Sequence, residues 1–382
     1  MIDVDHYVHK ILLPLRMLIL LDCRPLFLAG PDTEKSRLVF AVVTALARDP
    51  QWQWLLVAGP TDPVPDLPRT RLIRQRALGG RLGWRIWYDV LLPRLVKKQK
   101  AGLLITTGGI AAKTPIPQCL WMPERVNPRE GRSYPPLYPG RLTESLRRAA
   151  ALFCYSDRDR DWLVARETGT AGKTVVLHPS PAEAAAPLSV DQREAAKAEF
   201  AQGREYFLAD GTAAGEEDWV YLLKAFSLFK RRQHSNLQLI VKGILNDSWQ
   251  KRLETYKYRE DVHWRPSTAA DSRLMAGAYA GLLLFEGETL GEPLLEAWRS
   301  GVPVIGKSGG ILQELGGDAI LGAEGTDPAS LAAHLMLVYK DEQLRSRLIG
   351  LGEARLAAFQ QEHTIDAVRS NIRRSVESAK IS

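Results

Sequence analysis

Short apolar runs alternate with helical patterns along most of the chain. In the first half the runs are Met17–Leu21, Trp54–Ala58, Leu103–Thr106, Gln118–Met122, Leu152–Tyr155 and Thr174–Leu177. Between them lie helix-like stretches at 34–48, 85–100, 142–151 and 157–167. Strands that read as continuous apolar runs, separated by amphipathic helices, are the pattern of βαβ units around a parallel sheet. The pattern stops at His178-Pro-Ser-Pro-Ala-Glu-Ala-Ala-Ala-Pro187, where proline and alanine dominate and no periodicity survives. That stretch reads as a linker between domains.

The alternation then restarts. Strands are expected at 206–209, 237–241, 262–264, 280–285, 303–305 and 319–321. Helices are expected at 191–200, 218–232, 249–258, 267–278, 294–300 and 311–315, and near 328–340, 342–353 and 365–378. In the helix at 218–232, Leu222, Ala225, Phe226 and Phe229 share one face. The expected organisation is α/β, with two doubly wound Rossmann-like domains. The first spans 1–185 and the second 186–362, followed by a helix at 363–382 that crosses back to the first. A ligand site is expected at the carboxyl ends of the strands.

Length supports two domains, since 382 residues are long for a single core. Composition, at 45% apolar and 25% charged, is that of a globular protein. No apolar stretch reaches the roughly 18 residues needed to span a membrane. The run Ile11–Leu21 holds Pro14 and Arg16 and has no small-residue cleavage site, so it reads as leading into a first strand. Three cysteines and seven histidines show no metal-ligand spacing. Reduced thiols, no metal and a cytoplasmic protein are the expectation.

Charge is uneven. Residues 1–180 hold 27 Lys/Arg against 16 Asp/Glu, a balance of +11; the remainder holds 24 against 28, a balance of −4. The first half therefore faces something anionic. No nucleic-acid motif is visible, and nucleic acid is not expected as a partner. The segment 81–100 mixes Trp84, Trp87 and Tyr88 with basic residues. Two readings stay open for it: a peripheral anchor on the inner face of an anionic membrane, or a helix with an apolar inner face and a solvated basic outer face.

Candidate chemistry concentrates at 282–305. A buried strand ends near Phe285, a loop carries Gly287 and Gly291, and Pro293 opens a helix where its missing N–H costs nothing. Free N–H groups at that helix start favour a phosphate. Glu296 lies one turn in, placed to accept from sugar hydroxyls. Taken singly, Glu292 and Glu296 would serve only to complement the helix dipole. The combination of strand, glycine loop, proline, paired glutamates and the following Gly301-Val-Pro-Val304 favours a ligand loop.

These residues carry a resemblance. Glu288-x7-Glu296, with Gly291, Pro293, Leu295-Glu-Ala297 and Gly301-Val-Pro-Val304, resembles the signature of group-1 (family-four) retaining glycosyltransferases. Ser308-Gly-Gly310, Gln313-Glu-Leu315, 221–230 and 256–263 are similar to further blocks of that family. The resemblance is strong over about 200–360 and weak over 1–200. It implies the GT-B architecture, with a cleft between the domains, and a UDP- or GDP-linked nucleotide-sugar held mainly by the second domain without metal or other cofactor. Glu296 would bind the ribose and Glu288, the catalytic position, the transferred sugar. Backbone at Thr289, Leu290 and Gly291 would meet the diphosphate or the sugar, and a turn at 264–266, including Arg265, would flank the base. The acceptor would be a sugar or a lipid-linked molecule of envelope or polysaccharide type.

The sequence departs from the pattern in one segment above all. The family carries an Arg/Lys pair in the Gly-rich loop after the first strand of the second domain. Here that loop reads Asp210-Gly211-Thr-Ala-Ala-Gly-Glu-Glu-Asp218, with four carboxylates and no cation. Carboxylates beside a diphosphate repel it by several kcal/mol inside a cleft. Backbone at Gly211, with Lys242, Arg265 or Lys307, is the remaining means of holding it. Also, no histidine occurs between His9 and His178. Two functions stay open: an active glycosyltransferase with a diverged donor site, and a catalytically degenerate relative acting as a binding or scaffold subunit.

Overall fold

The computed structural model describes residues 17–28, 30, 32–76, 80–123, 139–181, 184–210, 216–243, 245, 247–266, 272–284, 290–324 and 327–381. Two compact units result. One leaves off at His178 and resumes at Gln361; the other runs Pro179–Gln360. The division falls seven residues before the boundary read from the sequence, because the Pro/Ala-rich stretch travels with the second unit: the Cβ that a side chain at Gly301 would carry lies 3.9 Å from Pro187.

The first unit is built on seven parallel strands: β1 (Met17–Asp22), β2 (Trp52–Ala58), β3 (Thr70–Arg74), β4 (Leu103–Thr106), β5 (Gln118–Trp121), β6 (Ala151–Cys154) and β7 (Thr174–Val176). Their order is β3-β2-β1-β4-β5-β6-β7. Its helices are α1 (Glu34–Leu46), α2 (Gly80–Ile86), α3 (Leu92–Gln99), α4 (Leu142–Arg148) and α5 (Asp157–Arg166). Thr33 caps α1 in a reciprocal box with Ser36. A π turn, Trp87–Leu91, joins α2 to α3, with the Leu92 N–H on the Trp87 carbonyl. Pro93 follows at once, and its lack of an N–H accounts for the break in the regular ladder.

The second unit has six parallel strands: β8 (Tyr206–Asp210), β9 (Gln238–Gly243), β10 (Val262–Pro266), β11 (Ala280–Leu283), β12 (Val304–Lys307) and β13 (Ile320–Ala323), in the order β10-β9-β8-β11-β12-β13. Helices α6 (Val190–Ala201), α7 (Glu216–Gln233), α8 (Asp247–Glu254), α9 (Ser272–Ala276), α10 (Glu292–Arg299), α11 (Gly310–Gly316), α12 (Pro328–Lys340) and α13 (Glu342–Leu356) cover it. Leu222, Ala225, Phe226 and Phe229 of α7 pack with Leu331, Leu335 and Val338 of α12 on one face of the sheet. Leu294, Leu295 and Trp298 of α10 pack with Val304, Leu312 and Phe359 on the other. Both faces are covered, which is why the strands read as unbroken apolar runs.

The last helix, α14 (Gln361–Ile381), belongs to the first unit. Its Ser375 Oγ lies 3.6 Å from Cys119 Sγ of β5, and the Thr364 hydroxyl donates to the His178 carbonyl at 2.8 Å. In both sheets the strand order reverses beside the first strand, at β1/β4 and at β8/β11. A reversal opens a crevice above the carboxyl ends of the strands, where open α/β sheets bind ligands.

Candidate active site

In the second unit the pairing register sets the polar residues of the crevice. Asp210 ends β8 and stands opposite Lys242 of β9. Lys242 stands opposite Arg265 of β10, and Leu283 of β11 flanks Asp210 on the other side. Neighbouring strands lie about 4.8 Å apart, so these side chains are within reach of one another. Lys242 Nζ approaches Asp210 Oδ2 at 3.6 Å, with the two side chains 23% and 7% exposed. From β12, Lys307 Nζ reaches Asp218 Oδ1 at 3.3 Å. Two carboxylates of the acidic segment are thus matched by lysines from other strands.

The far edge is aromatic. The Trp264 indole donates to the Gly243 carbonyl at 3.0 Å. Its ring lies 5.1 Å from Trp219, which lies 6.2 Å from Trp249. Residues 262–266 are strand through to Pro266, not the turn expected at 264–266. Pairing with β9 holds Arg265 extended. Arg265 Nε is buried with no hydrogen-bond partner among the described residues. His263 beside it is held below the usual histidine range by burial and by the Arg265 charge.

On the other side of β8, the chain re-enters at Leu290, which is buried, and Gly291 caps α10. Gly291 has φ 99°, a left-handed conformation that side chains resist, and a Cβ there would meet Leu315 Cδ1 at 2.4 Å. The Gly291 carbonyl accepts from both Leu294 and Leu295. Pro293 stands in the first turn, where it interrupts no hydrogen bond. Leu294, Leu295, Ala297 and Trp298 are buried, which leaves Glu292 and Glu296 half-buried on the other face. A second glycine pair, Gly309 and Gly310 at φ 97° and 64°, leads from β12 into α11.

The sequence-derived site therefore divides. Glu296, Leu290 and Gly291 stand at or near the start of α10 beyond β11; Lys242 and Arg265 stand near the carboxyl ends of β9 and β10. Glu288, Thr289 and Gly211 lie outside the described residues.

The first unit holds a polar group that the motif reading passed over. Asp22, the last residue of β1, is fully buried, and burial pushes its carboxyl up from 3.8 to about 6. The largest opposing causes are the Trp87 indole, which donates to Asp22 Oδ2 at 2.8 Å, and the charge of the Arg24 guanidinium. Arg24 is itself buried, 4.0 Å from the Trp87 ring centroid and 4.8 Å from that of Trp84. Lys35 Nζ donates to the Thr107 carbonyl at 2.7 Å, and the Thr107 hydroxyl donates to the Asp22 carbonyl at 2.8 Å. The legible signal was one carboxylate at the end of an apolar run.

The segment 81–100 resolves along the same lines. Trp87 and Tyr88 are core residues and Trp84 lies beneath Arg24. Arg81, Arg85, Arg94, Lys97 and Lys98 face outward, with Leu82 68% exposed among them. The solvated basic face describes this helix; the aromatic residues do not form a surface belt.

Comparison with known proteins bears on the second unit first. Residues 190–355 match the family model described as Glycosyl transferases group 1. No curated protein matches the sequence. Among solved structures, a glycosyltransferase from Rickettsia africae is similar at 13% identity and TM-score 0.72, over 96% of this chain and 100% of that one. Anabaena HepE in complex with UDP and glucose is similar at 14% identity and TM-score 0.67, over 94% and 99%. WaaG, a glycosyltransferase involved in lipopolysaccharide biosynthesis, is similar at 14% identity and TM-score 0.67, over 92% and 98%. Identities this low establish the fold, and the fold spans both units. Residues 190–355 are thus similar to the group-1 glycosyltransferases, and the chain is built on the GT-B fold.

Proposed function

We propose that the chain moves a sugar, of hexose type, from a UDP- or GDP-linked donor to an envelope or polysaccharide-type acceptor, with retention and without a metal ion or other cofactor. The observation that supports this most is α10, inside the family-matched segment. A left-handed glycine cap exposes the helix start at the carboxyl end of the sheet, with Glu296 one turn further on. Helix N–H groups stabilise a phosphate there, and a carboxylate accepts from a ribose diol. In this reading Glu296 holds the ribose and Glu288 the transferred sugar. Backbone at Thr289, Leu290, Gly291 and Gly211 meets the diphosphate, and Arg265 and Trp264 flank the base. HepE with bound UDP supports the choice of a nucleotide-sugar on this fold.

The diphosphate needs cations, and the acidic segment has none. Lys242 and Lys307 supply them in this reading. Each is held at the carboxyl edge by an aspartate, so each is positioned before the donor arrives. The reaction breaks the bond from the anomeric carbon to the diphosphate and forms one to the acceptor oxygen on the same face. The acceptor proton passes to the departing diphosphate, whose charge the two lysines and the α10 N–H groups offset. The exposed basic face of α2 and α3 is the proposed contact with an anionic membrane surface.

A thermal-shift titration with UDP- and GDP-sugars tests the donor site. One nucleotide class is expected to raise Tm in a saturable way, and Glu296→Ala is expected to abolish the rise. No rise with any of them contradicts the reading. A rise without turnover in the presence of envelope acceptors returns the chain to the scaffold alternative.

A further inference from the structure

The second unit carries an open cavity of about 470 Å³ over the outer face of α7, within the size range of small-ligand sites. Its floor is apolar: Leu228 of α7 and Tyr258, both partly buried against the core beneath. Its walls are cationic. Lys224 and Arg231 come from α7, and Lys257 from the segment that leads into β10. Positions 224, 228 and 231 are four and three residues apart, so they share one face of the helix, opposite the face that Leu222, Phe226 and Phe229 bury in the core. All three cations are exposed, and none forms an ion pair among the described residues. Lys257 Nζ stands 5.2 Å from the Tyr258 ring centroid, beside the cavity floor. One carboxylate lines the cavity, that of Asp327, and it is engaged at the start of α12, where it accepts from the Ala329 N–H at 2.9 Å. The cavity thus holds three positive charges against one negative, in a half of the chain, residues 181–382, where 28 Asp/Glu outnumber 24 Lys/Arg.

We infer that this cavity binds a phosphate group, free or carried on a small ester. Like charges held around one cavity repel, and an anion between them turns that repulsion into attraction. The Arg231 guanidinium offers paired N–H donors to two phosphate oxygens, and the two ammonium groups add point charges. Lys224 and Arg231 lie about 10 Å apart along the helix axis, a span that two long side chains close over one phosphate. The partly buried surface of Leu228 and Tyr258 suits the carbon skeleton of an ester. Neither Lys242 nor Lys307 lines the cavity, so phosphate held here is separate from the donor diphosphate of the transferase reading.

The test is a calorimetric titration of the full chain with inorganic phosphate, ribose 5-phosphate and ribose, at an ionic strength held constant with sodium chloride. At least one of the two phosphates is expected to bind, and ribose is not. Equal affinity for both supports a site for the free anion; tighter binding of ribose 5-phosphate supports a site for an ester. Replacing Lys224, Arg231 and Lys257 together by glutamine is expected to weaken binding about tenfold or more. The ligand-free Tm is expected to stay the same, because all three side chains are exposed. Asp327→Asn keeps a capping side chain and removes the one carboxylate, and is expected to tighten binding by up to about fivefold. Lys242→Gln with Lys307→Gln is expected to leave it unchanged. The site is overturned if neither phosphate binds, if ribose binds as tightly, or if the triply substituted chain binds like the parent. It is equally overturned if phosphate binding is lost in the Lys242 and Lys307 variant, which would put the anion at the donor site instead.

Discussion

At Asp210 and Asp218 the sequence alone presents repulsion: four carboxylates at the proposed place of the donor diphosphate. The folded chain answers with Lys242 and Lys307, which come from strands 30 to 90 positions away in sequence and so leave no local signal. Two opposite charges 3–4 Å apart attract by about 4 kcal/mol at an effective dielectric near 20, and partial burial offsets much of that. What remains is that two of the four carboxylates are matched by lysines, which lowers the repulsion a bound anion would meet. Asp22 shows the opposite case, a carboxylate that burial holds near 6 against 3.8. Its folded value is raised, so its stabilising contribution is full below about pH 4 and is lost as pH rises through about 6. Asp22→Asn fixes the neutral form. Denaturation of the two proteins between pH 4 and 7 is expected to shift in the variant's favour by up to about 3 kcal/mol. A pH-independent difference contradicts the assigned environment.

At the scale of elements, apolar periodicity revealed what is buried and missed what is not. β3, Thr70–Arg74, was absent from the sequence reading because it is an edge strand with mostly exposed side chains and no apolar run. The helix expected at 249–258 ends at Glu254, and residues 259–261 form a 3-10 turn. The π turn at Trp87–Leu91 was likewise invisible, though Pro93 marked its place. Helix α10 was legible because Gly291, Pro293 and the apolar pair Leu294 and Leu295 each carry a local meaning. Helix α13 holds a less obvious constraint. Gly352 faces Trp298 of α10 so closely that a Cβ would lie 2.3 Å from the ring. Alanine gains about 1 kcal/mol over glycine in a helix, but overpacking a core costs about 1–3 kcal/mol. Gly352→Ala is therefore expected to lower Tm; a rise would show that the α10–α13 contact relaxes freely.

At the scale of the whole molecule, two Rossmann-like units were legible from one end of the chain to the other, because each sheet is parallel and covered on both faces. The exchange of the terminal helix α14 into the first unit depends on contacts such as Ser375 with Cys119, 256 positions apart, which no local pattern records. The charge asymmetry was legible as a number, and its disposition was not: the aromatic residues at 84–88 serve the core and the basic ones the surface. Among the described residues no helix is long and apolar enough to cross a membrane. An electrostatic contact with lipid is therefore expected to sediment the protein with phosphatidylglycerol vesicles at low salt and to release it near 1 M, where the Debye length is about 3 Å. Binding that persists at high salt contradicts it.

In the proposed donor site, Glu296, Gly291 and Leu290 are expectations from the sequence, as is the absence of a cation in 210–218. The structure sets Lys242 and Lys307 beside Asp210 and Asp218, and their proposed role is open to direct measurement. In a calorimetric titration of the full chain with UDP and with GDP, one of the two is expected to bind. Replacing Lys242 and Lys307 together by glutamine is expected to weaken that binding by about tenfold or more, while affinity for the parent nucleoside, which carries no phosphate, stays the same. Failure of both diphosphates to bind the unaltered chain, or equal affinity in the doubly substituted one, would contradict the account.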